Sequence, residues 1–470
     1  MDVRSLQFRE RAREAVEDAT LRQALERARD GFVAKRAKAV DELPDFAALT
    51  AEARRIKDHT LARLDGYLEQ FERTAQAAGT EVHWAEGPED ARRIVREICT
   101  RTEARVVTKG KTMVGEEIGL NGALEQAGLD VVETDLGEYI IQLAEEPPSH
   151  IIAPAVHKTR EQVSELFAKA HGTPPREGVA ELVAEARSVL RRRFLEADVG
   201  ITGANFLIAE SGRGVIVTNE GNGDLTAGLP RVHVALAGID KVVPTYEDCA
   251  TLLRVLTRSA TGQPATAYTT FFSGPRRADE SDGPAEHHVI LLDNGRSELL
   301  GGEFRSMLRC IRCGACMNHC PVYTAIGGHP YGWVYPGPMG AVLTPLLLGV
   351  EQAPDLPRAC TLNGRCGSVC PVEIPLPEHL RRLRERQFEG GVLARRRRWA
   401  LHAWGWLLQR PAWYRRATRW AARALAFAGG RRGRASRLPG AGGWTGSRDL
   451  PTPGRGGTFM QRWARGSVHE

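Results

Sequence analysis

Seven of the nine cysteines lie between Cys310 and Cys370, in two runs whose spacing dictates what this stretch can fold around. The first reads Cys310-Ile-Arg-Cys313-Gly-Ala-Cys316-Met-Asn-His-Cys320-Pro321, the second Cys360-Thr-Leu-Asn363-Gly-Arg-Cys366-Gly-Ser-Val-Cys370-Pro371. So many soft thiolate donors in one short stretch point to iron–sulfur clusters that carry electrons. The alternatives fit less well: a zinc site would favour two paired Cys-x-x-Cys knuckles, and a disulfide framework belongs to small secreted domains.

The first run has the spacing of bacterial ferredoxins, where three close thiolates hold one cubane and the fourth, fixed before a proline, reaches the other cluster. Two such runs crossing over hold two clusters. By that rule one centre takes Cys310, Cys313, Cys316 and Cys370, and the other takes Cys320, Cys360, Cys366 and position 363, which is asparagine. An amide is a poor ligand for a soft site. The first centre is therefore expected to be 4Fe-4S. The second is either 3Fe-4S or a 4Fe-4S cluster whose last corner is closed by water, Asn363 or a partner's side chain.

At 470 residues the chain has room for two or three domains. Its first residues, Met-Asp-Val-Arg-Ser-Leu-Gln-Phe-Arg, lack an apolar signal-like stretch, so a cytoplasmic location is expected, where thiols stay reduced. The formal charge of +6 is unevenly spread. Residues 381–437 hold 17 arginines and two acids, and 438–470 add four arginines and two acids, which leaves −11 on the first 380 residues. A basic end on an acidic body suits docking to an acidic protein or an anionic lipid surface.

Along the chain, residues 1–77 read as an arm of two or three charged helices with a break near Leu43-Pro44. Residues 78–300 alternate short apolar runs with helical periodicity, the pattern of parallel strands with crossover helices, and an α/β domain is expected there. Strands are predicted from Glu81, at Arg105–Lys109, Leu129–Glu133, Val199–Thr202 and Gly214–Thr218, and within 231–243, 265–273 and 287–293. Helices are predicted from the N-cap Thr112 to Gly128, through Val179, Leu182, Val183, Ala186 and Leu190, and over 246–259. Asp279–Pro284 reads as a polar loop and Gly301-Gly302 as a hinge. A mainly helical two-cluster domain over 301–385 and a basic, Trp/Arg-rich segment over 386–470 complete the chain.

Outside the cysteines the candidates are weaker. Gly110-Lys111-Thr112 imitates the end of a P-loop, but Arg105 stands where that motif needs glycine, which excludes an ATP site. Lys109 and Lys111 precede a helix and could hold an anion, or could be solvated loop lysines. Thr218-Asn-Glu-Gly-Asn-Gly-Asp224 follows an apolar strand, so Glu220, Asn222 and Asp224 are candidates for a ligand site at a strand's end, or plain turn formers. His150 and His157 bracket an apolar strand and His287-His288 begins another. With no carboxylate or cysteine at metal spacing, these read as structural histidines. Cys99 and Cys249 read as core thiols.

Seven of nine tryptophans occur at or after Trp399, among them Trp404, Trp406, Trp413 and Trp420, interleaved with Arg395–Arg398, Arg415, Arg416 and Arg419. This composition suits packing on a partner subunit, or an interfacial helix on the inner face of the cell membrane. RNA binding ranks third, because no recognition motif accompanies the basic residues.

Several phrases together resemble the LutB family of lactate-utilisation iron–sulfur proteins: Glu133-Thr-Asp-Leu-Gly-Glu-Tyr-Ile-Ile-Gln142, Glu146-Pro-Pro-Ser-His-Ile-Ile-Ala-Pro154, Ala197-Asp-Val-Gly-Ile-Thr-Gly-Ala-Asn205, Val217-Thr-Asn-Glu-Gly-Asn222, the first cysteine run and Gly332-Trp-Val-Tyr-Pro-Gly-Pro338. The resemblance implies a LUD domain, related in fold to CoA-transferase and sugar-phosphate isomerase domains, joined to a two-cluster ferredoxin domain. It implies an electron-transfer subunit that oxidises L-lactate to pyruvate together with LutA-like and LutC-like subunits and passes electrons to a quinone or cytochrome. The departure is Asn363, where the two-cluster pattern has cysteine. Rival readings are electron transfer from another 2-hydroxy acid such as glycolate, a catalytic α/β domain with Glu220 as base or nucleophile, and a ligand-binding or redox-sensing scaffold.

Overall fold

A computed structural model describes residues 3–439, 441–446, 448–453 and 457–465. Residues 1–387 form one compact unit and 388–470 a second. In the first, six strands build a parallel sheet: β1 (Glu81–Ala85), β2 (Val106–Lys109), β3 (Asp130–Glu133), β4 (Val199–Gly203), β7 (Val232–Gly238) and β10 (Glu286–Leu292), in the order β1-β10-β7-β4-β2-β3. The remaining strands, β5 (Phe206–Ile208), β6 (Arg213–Thr218), β8 (Val242–Val243) and β9 (Tyr268–Phe272), form a separate sheet ordered β8-β5-β6-β9.

The two-residue period of the strands decides the layers. Val232, Val234 and Leu236 of β7, with Ile290 and Leu292 of β10, face Ile94, Val95, Ile98, Leu120 and Leu124. Their neighbours Ala235, Ala237, Val289 and Leu291 face the other way, onto Leu68, Phe71, Leu207 and Val242. Both faces are covered, as a parallel sheet requires.

Local chemistry broke several expected elements. The helix expected from Thr112 to Gly128 is two helices, Met113–Glu117 and Leu120–Glu125, because Gly119 between them is left-handed at φ 64°. Thr112 is the N-cap, its hydroxyl accepting from the Gly115 N–H. Gly214–Thr218 is a strand, but of the second sheet, paired antiparallel to β5 and β9. The stretch 231–243 is interrupted by a 3-10 turn at Ile239–Lys241. Between His150 and His157 the chain bends and turns without forming a strand.

Residues 1–77 hold four α-helices, Phe8–Glu17, Ala19–Asp41, Phe46–Ala62 and Leu64–Ala77, with the break at Leu43-Pro44. The first three pack around the cysteine region: Phe8, Ala15, Phe46 and Ile56 share one core with Met317, Tyr331, Trp333 and Val369. Polar ties reinforce it, including Arg36 Nη2 to the Val369 carbonyl at 3.1 Å and Arg309 to Asp58 at 2.6 Å. Between the cysteine runs, helix Gly337–Leu348 is buried along its first nine residues.

The second unit contains helices Arg395–Leu408 and Pro411–Gly429 and a two-stranded pair, Arg434–Ala435 with Leu450–Pro451. Trp399, Trp404, Trp406, Trp413 and Trp420 are all about half or more exposed. Among the described residues no helix is long and apolar enough to cross a membrane. The expected 386–470 segment includes 440, 447, 454–456 and 466–470, which lie outside the described residues.

Candidate metal centres

The two cysteine runs share one backbone signature. In the first, Arg312 and Gly314 are left-handed at φ 60° and 74°, and the short helix Ala315–Asn318 carries Cys316. In the second, Leu362 and Gly364 repeat this at φ 56° and 84°, and helix Arg365–Ser368 carries Cys366. Such reversals curl the chain around a centre and turn its N–H groups inward. Leu362 N–H points to Cys360 Sγ at 3.2 Å, Ile374 N–H to Cys370 Sγ at 3.4 Å and Tyr323 N–H to Cys320 Sγ at 3.5 Å. Donors of this kind stabilise thiolate and tune a cluster's potential.

All nine cysteines are free. The seven in the runs gather into two groups by their mutual fields. Cys313 feels Cys370 and Cys310, and Cys316 feels Cys313, Cys310 and Cys370. Cys320 feels Cys360, and Cys366 feels Cys360 and Cys320. Cys316 also feels Cys366, so the groups adjoin. Burial, helped by the neighbouring sulfurs, pushes Cys366 up to about 12, and burial alone is the main reason Cys370 lies at about 11. Thiols this crowded ionise together only when a metal supplies the compensating charge.

Asn363 occupies in the second run the place Cys313 has in the first. Its side chain is exposed, and its Oδ1 accepts from the Arg365 N–H at 3.1 Å, closing the turn into the short helix. The oxygen that would have to replace a thiolate is already engaged by backbone.

The α/β candidates separate clearly. Lys109 is buried and paired with Glu133 at 2.7 Å and Glu116 at 2.9 Å, which overturns both its reading as an exposed lysine and its reading as an anion site. Burial alone would depress its ammonium, but the glutamates hold it above its ordinary value. Lys111 donates to the Ile152 carbonyl at 2.7 Å and lines a cavity with Asp135, Glu220 and Asn222. Burial, with Asp135 nearby, raises the Glu220 carboxyl. Asp224 instead accepts from the Thr270 hydroxyl.

Of the histidines, His150 is as expected, while His157 and His288 gather partners that the sequence did not show. His150 is buried and structural, with Nδ1 accepting from the Ile152 and Ala153 N–H groups and Nε2 on Asn318 at 3.0 Å. A carboxylate does join His157: Glu146 lies at 2.7 Å, and His329 completes that cluster. Likewise His288 gathers with His83 and Glu81 at the β1–β10 edge. Folding assembles both groups from distant stretches, so no spacing in the sequence announces them. Cys99 and Cys249 are buried core thiols.

Sequence reasoning missed Lys241 and Arg312, which line the same cavity as Lys111. Lys241 follows the end of an apolar strand as Lys111 does, and that position was its signal; Arg312 was hidden inside the first cysteine run.

Residues 68–292 match the LUD domain family and residues 306–374 the 4Fe-4S dicluster domain family. The chain is 44% identical over 450 residues to "Lactate utilization protein B" of Shouchella clausii, covering 95% of this chain and 94% of that one. It is 49% identical over 373 residues to the protein of the same name in an Exiguobacterium species, covering 79% and 80%. It is also 44% identical over 404 residues to "Uncharacterized electron transport protein YkgF" of Escherichia coli, covering 86% and 85%. A solved duf162 family protein from Deinococcus radiodurans aligns with 49% of this chain and 98% of its own at 15% identity, with a TM-score of 0.29, too remote to bear on the argument.

Proposed function

Because the chain belongs to the lactate utilization protein B family, we propose that it is the iron–sulfur electron-transfer subunit of a complex that oxidises L-lactate to pyruvate. The observation that carries this reading is the pair of adjoining cysteine groups, one of four sulfurs and one of three, folded against the α/β core. Iron–sulfur clusters, when bound, accept and release single electrons.

The chain's own residues supply the rest. Cys310, Cys313, Cys316 and Cys370 would hold a 4Fe-4S centre. Cys320, Cys360 and Cys366 would hold the second, where Asn363 stands in place of a fourth cysteine. Tyr331, Trp333 and Tyr335 are buried around them and keep water away. Arg312, over the Tyr335 ring at 4.9 Å, places a fixed positive charge beside Cys310, which favours the reduced, more negative state of the first centre. The N–H donors to sulfur act in the same direction.

Two centres held by these adjoining groups would let the two electrons of lactate pass singly towards a quinone or cytochrome. LutA-like and LutC-like subunits complete the complex. The Trp/Arg-rich helices of the second unit are a docking surface for one of them, because their aromatic side chains stand exposed. The working location is cytoplasmic.

The test is reconstitution without oxygen. Mixed with both companion subunits, L-lactate should bleach the visible absorbance of the clusters; clusters that reduce with dithionite but never with lactate and companions would contradict the proposal.

A further inference from the structure

The parallel sheet has one topological switch point. From β2 the chain crosses to β3 on one side and then returns to β4 on the other. Ligands of open α/β sheets bind outside the carboxyl ends of the strands at such a point. Here the ends of β2 and β4 open into a cavity of about 390 Å3, lined from β2 by Lys111, from β4 by Asn205 and from beyond β7 by Lys241. Its far wall comes from the cysteine region, through Arg312 and Tyr335.

Most charges on this lining are already spent. Asp240 accepts from Arg296 through Oδ1 at 2.9 Å while its buried Oδ2 takes no hydrogen bond, and Arg296 is further neutralised by Glu117. Asp135 caps the helix Leu136–Leu143. Two cations keep unfilled hydrogen-bond donors, although Asp240 lies near both and Cys310 lies beside Arg312. Lys241 is 8% exposed, and no hydrogen bond or ion pair reaches its Nζ among the described residues. Burial pushes its ammonium down to about 8 although Asp240 opposes that. Arg312 has a buried Nη1 with no hydrogen-bond partner.

Unfilled donors on two cations that face one cavity call for an anionic acceptor. The carboxylates on the lining, Asp135, Glu220 and Asp240, repel a dianion more strongly than a monoanion. The helices that start at the cavity, Met113–Glu117 and Asn222–Gly228, are too short to form a phosphate cradle. The other walls are apolar, among them Ile216 and Leu256, and the volume exceeds what a three-carbon acid fills.

We propose that this cavity binds an organic monocarboxylate with an apolar body, its carboxylate held between Lys241 and Arg312. The ligand then sits against the segment that carries Cys310. The inference does not rest on the electron-transfer reading: binding and cluster reduction are read separately, and either can fail alone.

The test is isothermal titration calorimetry on the full, cluster-loaded chain without oxygen, using L-lactate, L-3-phenyllactate and inorganic phosphate. Phenyllactate should bind at least as tightly as lactate, and phosphate should not compete. Lys241→Met should weaken binding on the order of 10- to 100-fold, the loss expected of one charged hydrogen bond, and Lys241→Arg should restore most of it at unchanged iron content. Three results would overturn the proposal: no heat from either carboxylate up to about 10 mM, well beyond ordinary ligand affinities; phosphate binding as tight as phenyllactate; or wild-type affinity in an iron-replete Lys241→Met protein. The wild-type titration decides the matter even if a variant fails to fold.

Discussion

Arg296 clamps Glu117 with both ends of its guanidinium, Nη1 to Oε1 at 2.9 Å and Nη2 to Oε2 at 2.8 Å, and neither side chain is more than 2% exposed. Arg296 follows β10, and Glu117 lies in the helix after β2, so the clamp ties the ends of two strands that are not neighbours in the sheet. Tyr335, from between the cysteine runs, donates to the same Glu117 at 2.5 Å. Burial alone would raise the Glu117 carboxyl, but Arg296, Tyr335 and Asn294 together hold it below its ordinary value. One carboxylate thus joins the sheet to the candidate metal centres.

Arg296→Met should therefore cost about 3–5 kcal/mol, because it strands Glu117 and Asp240 without their cation. Replacing Arg296 and Glu117 together by apolar residues should cost less than the single change. Urea denaturation of the cluster-loaded protein without oxygen measures both, and a midpoint unchanged in Arg296→Met would refute the clamp.

Asn363→Cys should complete the second centre. A cysteine there gives up the turn hydrogen bond from the Arg365 N–H, worth about 1 kcal/mol, but adds the missing thiolate. Iron should rise from about seven to about eight atoms per chain, the difference between a three-iron and a four-iron second centre. An iron content and resonance signal identical to the wild type would show that the second centre is already closed by another group.

The cysteine spacing made the two sulfur groups legible, because a few residues near in sequence bring most of each group together. The alternation of apolar runs likewise revealed the parallel strands, since Val232, Val234 and Leu236 carry their face in their order. What stayed hidden depended on long-range assembly. That β6 leaves the parallel sheet for its own is decided by pairing with Tyr268–Phe272, some fifty residues on. Residues 1–77 read as an arm of two or three helices, and what the arm packs on stayed hidden because the partners of Arg36 and Asp58 lie hundreds of residues away. Lys109 read as an anion holder or a solvated loop lysine because Glu116 and Glu133 reach it only after folding.

Buried histidine makes stability depend on pH. His287 is 2% exposed and bonds Thr80 at 2.8 Å, and burial, with His288 beside it, drops its imidazole to about 3. Unfolded histidine titrates near 6.5. The folded value is depressed, so the contribution of neutral His287 is fully present above about 6.5 and is lost as pH falls towards 3. Between pH 7.5 and 5.5 the wild type should lose about 1.4 kcal/mol that a His287→Asn protein does not lose. Parallel denaturation curves at the two pH values measure it, and equal losses in both proteins would be contrary to this assignment.

The exposed tryptophans of the second unit should matter for assembly and not for the centres. Trp406 and Trp413 pack at 6.4 Å yet remain about half exposed. Trp413→Ala with Trp406→Ala should leave iron content unchanged and weaken association with the companion subunits at least tenfold, or about 1.4 kcal/mol. Sedimentation of the mixed subunits checks this. Unimpaired assembly, together with lost binding to anionic lipid vesicles, would assign these helices to the membrane instead.

The central claim is two unlike iron–sulfur centres, one on four thiolates and one on three. It is tested most directly by iron and sulfide analysis with electron paramagnetic resonance on protein purified without oxygen, before and after dithionite. The account expects a three-iron signal in the oxidised protein and a reduced four-iron signal after dithionite. Protein made under these conditions that contains no iron, or that holds a single zinc ion, would contradict it.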